Sequence, residues 1–445
     1  MLDRIESAAA RIRGLRLGRH FGRVSAIRAG VVEVDGLSHS ASVGDRVGFL
    51  HGALFGEIIG LTQDHALVLP EGAADGLSIG AVVELLFRPV LAPCDGWIGR
   101  IVDPLGRPLD GRPLPSGHAD RRYRAPPPPA ASRRRLGGRL DTGLAVFDTL
   151  LPIVRGQRIG LFAGSGVGKS TLLSLLARGV TADVVVIAMV GERGRELREF
   201  VEQTLGPEGM ARAVVVAATS DQSPLMRRRC AWAAMAVAEH FRDAGRHVLF
   251  LADSITRFAE AHREIALASD EAPSHRGFPP STAQMIMALA ERSGPGPDGP
   301  GHEGSGDITA IFSVLVAGSD MEEPVADILR GVLDGHVVLD RAIAERGRFP
   351  AVDVLRSVSR SLPHAASEAE NALIARARAA MGLYAESELM IKAGLYAPGT
   401  DPRLDEAVRL WPALDALAAQ KAANAGESFR LLREALAARG GGAGG

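Results

Sequence analysis

The chain has 445 residues, of which 46% are hydrophobic, so it is long and apolar enough to bury the cores of about three domains. Its 51 basic and 52 acidic residues give a net charge of −1, and its aromatic content is only 4%, which together argue against a dedicated nucleic-acid-binding surface. No apolar run approaches the roughly 18 residues of a membrane span and the N-terminus lacks the apolar region of a signal peptide, so a cytoplasmic protein is predicted.

The first segment, residues 1–20, is predicted to form a basic amphipathic helix. Apolar residues recur every three or four positions from Leu2 to Leu15, with arginines between them. The apolar stripe either packs on the chain's own domain or docks onto a regulatory protein or lipid headgroups, and the pattern leaves both open. Residues 21–92 then show short β-branched runs separated by glycine turns, which predicts a small β-barrel.

Residues 93–135 are predicted to form a turn-rich connector and a linker. The linker is the basic, proline-rich run Arg124–Arg135, RAPPPPAASRRR, which favours a stiff, extended backbone and marks a boundary. Cys94 in the connector and Cys230 farther along have no CxxC spacing and no neighbouring histidines, so neither a zinc site nor a disulfide framework is expected. Both are predicted to be buried thiols.

A nucleotide-binding loop is predicted where an apolar strand, ending at Ala163, runs through a glycine-rich turn into a helix. The glycines let backbone N–H groups turn inward, Lys169 can reach the outer phosphates, and the Ser170 hydroxyl can ligate Mg²⁺. Ala163 stands where the GxxxxGK[ST] pattern has its first glycine. The residues predicted to bind nucleotide here are Ala163, Gly164, Ser165, Gly166, Val167, Gly168, Lys169, Ser170 and Thr171.

Residues 136–363 are predicted to form a mostly parallel α/β sheet around this loop. Further apolar runs occur at 183–190, 213–219, 247–253 and 308–318, and they alternate with helical stretches such as 224–243. Residues 293–306 are predicted to be a flexible glycine-rich loop in which His302 and Glu303 are solvated.

The remaining residues are predicted to be helical. Residues 364–438 carry apolar stripes at helical spacing, and Asp401–Pro402 offers an N-cap followed by a first-turn proline. Residues 439–445, a glycine-rich tail, are predicted to be disordered.

Two acidic residues follow apolar strands and are candidates for chemistry. Asp253 could hold Mg²⁺ through water while Ser170 binds the ion directly; the alternative is a helix N-cap or an ordinary loop aspartate. Glu192 could orient and polarise the attacking water at a strand end; otherwise it is a solvent-facing acid in a charged segment.

Several motifs in order resemble one family. VGERGRE (190–196), FLADSITRFA (250–259), GRFPAVD (347–353) and RSVSRSLP (356–363), together with the P-loop, resemble the catalytic β-type subunits of rotary ATPases. They are more similar to the flagellar and type III secretion export ATPases, and MIKAGLYAPGTDP (390–402) looks most like the flagellar members. The resemblance covers about residues 20–435. It implies a RecA-like P-loop NTPase core, an N-terminal β-barrel and a C-terminal helical domain.

The resemblance also implies roles for individual residues. Lys169 matches the P-loop lysine, Glu192 the water-activating glutamate and Arg193 a phosphate contact beside it. Asp253 matches the acid of the second nucleotide motif, and Arg257 an arginine near the γ-phosphate. Phe349 matches the aromatic residue that stacks on adenine. Arg360 matches the arginine finger that enters the neighbouring subunit's site; from its own neighbourhood alone it would be a surface arginine.

By resemblance, the chain is expected to be an Mg²⁺-dependent ATPase that works as a homohexamer at the cytoplasmic, inner-membrane base of a flagellar export apparatus. The partners so implied are a regulatory protein on the N-terminal helix, a central-stalk protein, the export gate and chaperone–substrate complexes, with no nucleic acid. AESELMIKAGLY (385–396) replaces the acidic segment of rotary synthase β subunits, which favours export over synthesis.

Four alternatives stay open at this stage. They are a virulence-type secretion ATPase, a rotary synthase catalytic subunit, a regulatory nucleotide-binding subunit without turnover, and an RNA translocase with the same core. Glu192 and Arg360 argue against the subunit without turnover.

Overall fold

The computed structural model describes residues 18–50, 54–86, 88–299, 304–316 and 321–437. Most of the predicted N-terminal helix, residues 1–17, lies outside the described residues, as do the C-terminal tail and both His302 and Glu303.

In the described part of the chain, six N-terminal strands close into a barrel, as predicted, in the order β1-β2-β5-β4-β3-β6. The strands are β1 (Phe21–Arg28), β2 (Val31–Asp35), β3 (Arg46–Phe49), β4 (Phe55–Leu61), β5 (His65–Pro70) and β6 (Val82–Leu85). Buried and partly exposed residues alternate along most of them, because successive side chains point to opposite faces of a strand. Valines such as Val32, Val34, Val68 and Val83 therefore fill the barrel interior.

The second unit is a mixed sheet of eight described strands in the order β16-β15-β10-β14-β13-β11-β12-β8. Its strands are β8 (Arg100–Val102), β10 (Arg158–Ala163), β11 (Val184–Glu192), β12 (Ala213–Thr219), β13 (Val248–Asp253), β14 (Ile308–Leu315), β15 (Gly335–Leu339) and β16 (Val352–Ser359). All neighbours are parallel except β15 and β16, which are antiparallel.

The central strands are continuous apolar runs because both faces of this sheet are covered. Along β11, Val185, Ile187 and Met189 enter one core cluster, whereas the alternate residues Val186 and Ala188 enter the other. The helices of this unit are α1 (Ala145–Asp148), α2 (Lys169–Gly179), α3 (Gly194–Glu199), α4 (Gly206–Met210), α5 (Pro224–Asp243), α6 (Ile255–Ala268), α7 (Ser281–Glu291), α8 (Pro324–Val332) and α9 (Arg341–Glu345), with a π-helical turn at Phe200–Leu205.

The connector is more integrated than its turn-rich sequence predicts. Its strand β8 joins the edge of the large sheet beside β12, and β7 (Val90–Leu91) pairs with β9 (Arg121–Arg122). In the linker, Arg133 and Arg134 form ion pairs with Glu291 and Asp307 of the core, at 2.8 and 2.7 Å. The prediction of two buried thiols is correct for Cys230 but wrong for Cys94, which is only half-buried since it lies in this surface connector.

The predicted flexible loop at 293–306 is held at both described ends. Gly294 and Ile308 exchange backbone hydrogen bonds of 2.9 Å, and the Asp307 carboxylate accepts from the Gly296 N–H at 3.0 Å. Backbone pairing therefore overrides the flexibility that the glycines predict.

The C-terminal unit is helical, as predicted, with α10 (Glu368–Lys392), α11 (Pro402–Leu417) and α12 (Ala425–Ala437). Asp401 caps α11 by accepting from the backbone of Arg403 at 2.8 Å, and Ser367 with Glu370 forms a capping box on α10. Within the described ranges, no helix is both long and apolar enough to cross a membrane.

A buried ion-pair network joins the barrel to the core. Glu57 of β4 accepts from Arg228 at 2.8 Å and also pairs with Arg229, and Glu71 pairs with Arg229 at 2.9 Å. Since Arg228 and Arg229 lie on α5, this network, the barrel–core clamp, fixes the barrel against a helix that packs on the large sheet.

Candidate active site

The P-loop leaves the carboxyl end of β10, which lies in the middle of the large sheet between β14 and β15. Gly166 and Gly168 have φ of 77° and 87°, a left-handed backbone that glycine adopts without strain. Val167 is buried and anchors the loop, while Ser165, Gly166, Ser170 and Thr171 are exposed. The loop is therefore anchored in the core by Val167, and its other side is open to solvent at the N-terminus of α2. Backbone N–H groups at that terminus favour the binding of an anion.

Lys169, the first residue of α2, points to two carboxylates. Its ammonium donates to Asp253 Oδ1 and lies 4.0 Å from Glu192 Oε1. Asp253 ends β13 and is only 2% exposed, so its charge is deep in the structure and close to the lysine. Asp253 Oδ1 also accepts a hydrogen bond of 2.8 Å from the Ser313 hydroxyl.

Glu192 ends β11, the strand beside β13, so parallel pairing brings Glu192 and Asp253 to the same edge of the sheet. Burial and the negative charge of Asp253 raise the pKa of Glu192 to about 7, although the Lys169 ammonium opposes the shift. A carboxyl with a pKa near neutrality is suited to accept a proton from water.

Three arginines predicted to act on phosphate are differently placed. Arg193 follows Glu192, is largely exposed and lies 3.4 Å from the Glu196 carboxylate. Arg257 lies in the first turn of α6, and its side chain packs beside Gly191 while its guanidinium donates to Glu260 at 3.0 Å. Both therefore flank the β11 end that carries Glu192.

Arg360 lies at the opposite end of the sheet from the P-loop. Its backbone N–H donates to the Asp334 carbonyl at 3.0 Å, and the Asp334 carboxylate accepts from the backbone of Arg158, the first residue of β10. The P-loop begins at the other end of that strand, about 17 Å away at the usual rise per residue. The exposed Arg360 side chain is thus not brought to Lys169 of its own chain.

Phe349 lies next to Gly168 of the P-loop. A Cβ placed on Gly168 would lie 3.2 Å from the Phe349 ring, so glycine at 168 allows the close contact. Phe349 is 51% exposed beside the loop. That arrangement suits the stacking of a planar base.

Ser313 was missed by the sequence analysis. It is a fully buried hydroxyl on β14, and it orients the Asp253 carboxylate. A signal was present, since Ser313 is a hydroxyl residue near the carboxyl end of a mostly apolar run that also contains Thr309. Apolar runs do not indicate which neighbour a hydroxyl faces.

The side chains present fit a metal-bound nucleotide. Lys169 supplies a compact cation, and Ser170 and Asp253 supply the hydroxyl and carboxylate oxygens that Mg²⁺ prefers. The exposed turn of the P-loop supplies backbone N–H groups for phosphate oxygens.

Comparisons with known proteins agree with this geometry. Residues 143–359 match the ATP synthase alpha/beta family, nucleotide-binding domain, and residues 366–437 match the T3SS EscN ATPase C-terminal domain. The flagellum-specific ATP synthase of Caulobacter vibrioides is 46% identical over 424 residues, which cover 94% of this chain and 96% of that protein.

Two solved structures are similar over nearly the whole chain. The assembled ATPase EscN from the enteropathogenic E. coli type III secretion system is 33% identical with a TM-score of 0.86, covering 93% of this chain and all of that chain. EscN in complex with its central stalk EscO is also 33% identical, with a TM-score of 0.83 and the same coverage. The chain therefore belongs to the family of flagellum-specific and type III secretion ATPases, and it is an ATP-hydrolysing enzyme.

Proposed function

We propose that this chain hydrolyses ATP, with Mg²⁺, to promote the export of flagellar proteins through a flagellum-specific type III secretion apparatus. The observation that carries the proposal is the 46% identity to a flagellum-specific relative over 94% of the chain. ATP hydrolysis is supported by three side chains that meet at one edge of the sheet. They are Lys169, Asp253 and Glu192, and the pKa of Glu192 is raised to about 7.

In the proposed reaction, Lys169 and the P-loop backbone bind the β- and γ-phosphates. Ser170 would ligate Mg²⁺ directly and Asp253 would hold it through water, and the ion, when bound, would supply positive charge against the phosphates. Asp253 would have to exchange its contact with Lys169 for this role, while the Ser313 hydroxyl keeps its carboxylate oriented.

Glu192 is the proposed base. Its carboxylate accepts a proton from the attacking water while Arg193 and Arg257, on either side, meet negative charge on the phosphoryl oxygens. Phe349 stacks on adenine and so contributes to nucleotide affinity.

We infer that the active unit is a homohexamer with shared sites. The relative EscN was solved in an assembled form and with a central stalk. The exposed position of Arg360, at the far end of the sheet from its own P-loop, suits a residue that completes a neighbour's site. A stalk protein, an export gate, chaperone–substrate complexes and a regulator bound to residues 1–20 are further proposed partners, at the cytoplasmic face of the inner membrane.

A virulence-type secretion ATPase is the second candidate, since the C-terminal residues match the EscN type of domain. The flagellum-specific relative is 46% identical, against 40% for the type 3 secretion system ATPase of Xanthomonas euvesicatoria, and this smaller difference favours the flagellar system. The same C-terminal match makes a rotary synthase subunit the weaker candidate.

Gene replacement in the native bacterium tests the proposal. Deleting the gene should abolish motility and the appearance of flagellar proteins in the culture supernatant. The wild-type gene should restore both, whereas a Glu192→Gln variant expressed at the same level should not. Normal flagella in the deletion strain, with loss of other secreted proteins, would transfer the assignment to a virulence-type system.

A further inference from the structure

The loop that carries Phe349 is held by a residue of the C-terminal helical unit. This loop, residues 346–351, connects α9 to β16. Asp415 of α11 lies beside it, with Oδ1 3.1 Å from Arg348 Nε and 4.0 Å from the Arg346 guanidinium. Asp415 is 67 positions from Arg348 in sequence, so only the tertiary structure brings them together.

Arg348 ties this carboxylate to the backbone that follows Phe349. Its guanidinium donates to the carbonyl of Pro350 at 3.0 Å and to the carbonyl of Val352 at 2.8 Å. The side chain is only 10% exposed, and burial lowers the pKa of Arg348 while the Asp415 carboxylate opposes that shift. A charge this buried needs a counter-charge, and the Asp415 carboxylate stabilises it more than Asp353 and Asp340 do, through an ion pair rather than a hydrogen bond.

The Phe349 ring has weaker restraints of its own. It is half exposed, and the loop contains Gly347 with φ of 80°, a position with no neighbour close to its would-be side chain. The ring lies next to the P-loop glycine Gly168. The contacts of Arg348 are therefore side-chain contacts that tie this loop to the helical unit.

We propose that Asp415 is a positioning residue for nucleotide binding, which holds Phe349 in its base-stacking position through Arg348. The inference rests on the proposed role of Phe349. It also couples the helical unit to the nucleotide, because a movement of α11 would carry the Asp415 carboxylate and displace the ring. Among the described residues, Asp415 pairs with Arg346 and Arg348 and with no phosphate-binding residue, so its loss should affect binding more than the chemical step.

The test compares four full-length variants with the wild type. Asp415→Asn removes the charge, Asp415→Glu preserves it, and Phe349→Ala removes the ring. Glu406→Gln is the matched control, because it breaks the ion pair of the same helix with Arg376, inside the helical unit. The dissociation constant of a fluorescent mant-ADP probe, the KM for ATP and kcat are measured for each, with thermal unfolding as a check of folding.

Asp415→Asn should raise both the probe's dissociation constant and the KM about five- to tenfold while kcat stays within about twofold, because binding geometry is lost and the reacting groups are not. Asp415→Glu should restore most of the affinity, and Glu406→Gln should match the wild type. A merely structural role would lower the melting temperature without this split between KM and kcat.

Unchanged affinity in Asp415→Asn, with weakened binding in Phe349→Ala, overturns the inference about Asp415 alone. Unchanged affinity in Phe349→Ala overturns the role of Phe349 and hence both. If Asp415→Asn does not fold, Arg348→Lys decides, since lysine keeps the charge but cannot make all three contacts. It should raise KM in the same way, and a wild-type KM would refute the proposal.

Discussion

Lowering the pH from 8 to 6 should reduce kcat/KM for ATP about tenfold. Burial and the neighbouring Asp253 raise the pKa of Glu192 to about 7, so its carboxyl is protonated as the pH falls through that value. Roughly nine carboxyls in ten are ionised at pH 8 and about one in ten at pH 6, and only the ionised form can accept a proton from water. The activity is therefore present above pH 7 and lost below it.

Initial rates of phosphate release at ATP concentrations well below KM, with Mg²⁺ saturating, measure this profile. ATP itself titrates in this range, so a variant must move the midpoint without changing the substrate. Glu196 contributes to the raised pKa of Glu192 by charge and hydrogen bonding, and Glu196→Gln should therefore move the midpoint to lower pH. Glu202→Gln is the control. Glu202 is exposed and pairs with Arg198, four residues earlier in the chain, so its substitution should leave the midpoint of the pH profile unchanged.

Two results would refute the reasoning. If the wild type keeps its kcat/KM down to pH 6, no group with a pKa near 7 is required in the free enzyme. If the midpoint is the same in Glu196→Gln as in the wild type, the titrating group is the substrate or a residue far from α3.

Ser313→Ala should raise the Mg²⁺ concentration for half-maximal activity several-fold, because Asp253 loses its 2.8 Å orienting hydrogen bond; an unchanged Mg²⁺ dependence would contradict this role. Mixing Arg360→Ala with Lys169→Ala should restore phosphate release that neither variant shows alone, since mixed assemblies contain interfaces with both residues intact. If subunits exchange and no activity returns, Arg360 does not act on a neighbour's site in the way proposed. Glu57→Gln should lower the melting temperature by a few degrees, because it leaves two buried guanidinium groups of the barrel–core clamp without their full counter-charge; equal melting curves would show that the clamp adds no net stability.

Much of the site was predictable because its chemistry is local in sequence. A P-loop is one contiguous stretch, and its glycines, Lys169 and Ser170 need only the strand before and the helix after to act. Buried parallel strands likewise have uninterrupted apolar sequences, so the apolar run at 213–219 coincides with β12. The helical stretch at 224–243 coincides with α5.

What the sequence alone determined is therefore the barrel, the central apolar strands, the C-terminal helices and a set of candidate residues for phosphate chemistry. The tertiary structure decided which distant side chains meet: the Ser313 hydroxyl with Asp253, and Asp415 with Arg348. It also decided that a short strand of the connector, β8, completes the edge of the sheet. The physical reason is that a hydroxyl, a carboxylate or a three-residue strand has no periodic signal, and its partner is selected by packing between elements that lie far apart along the chain.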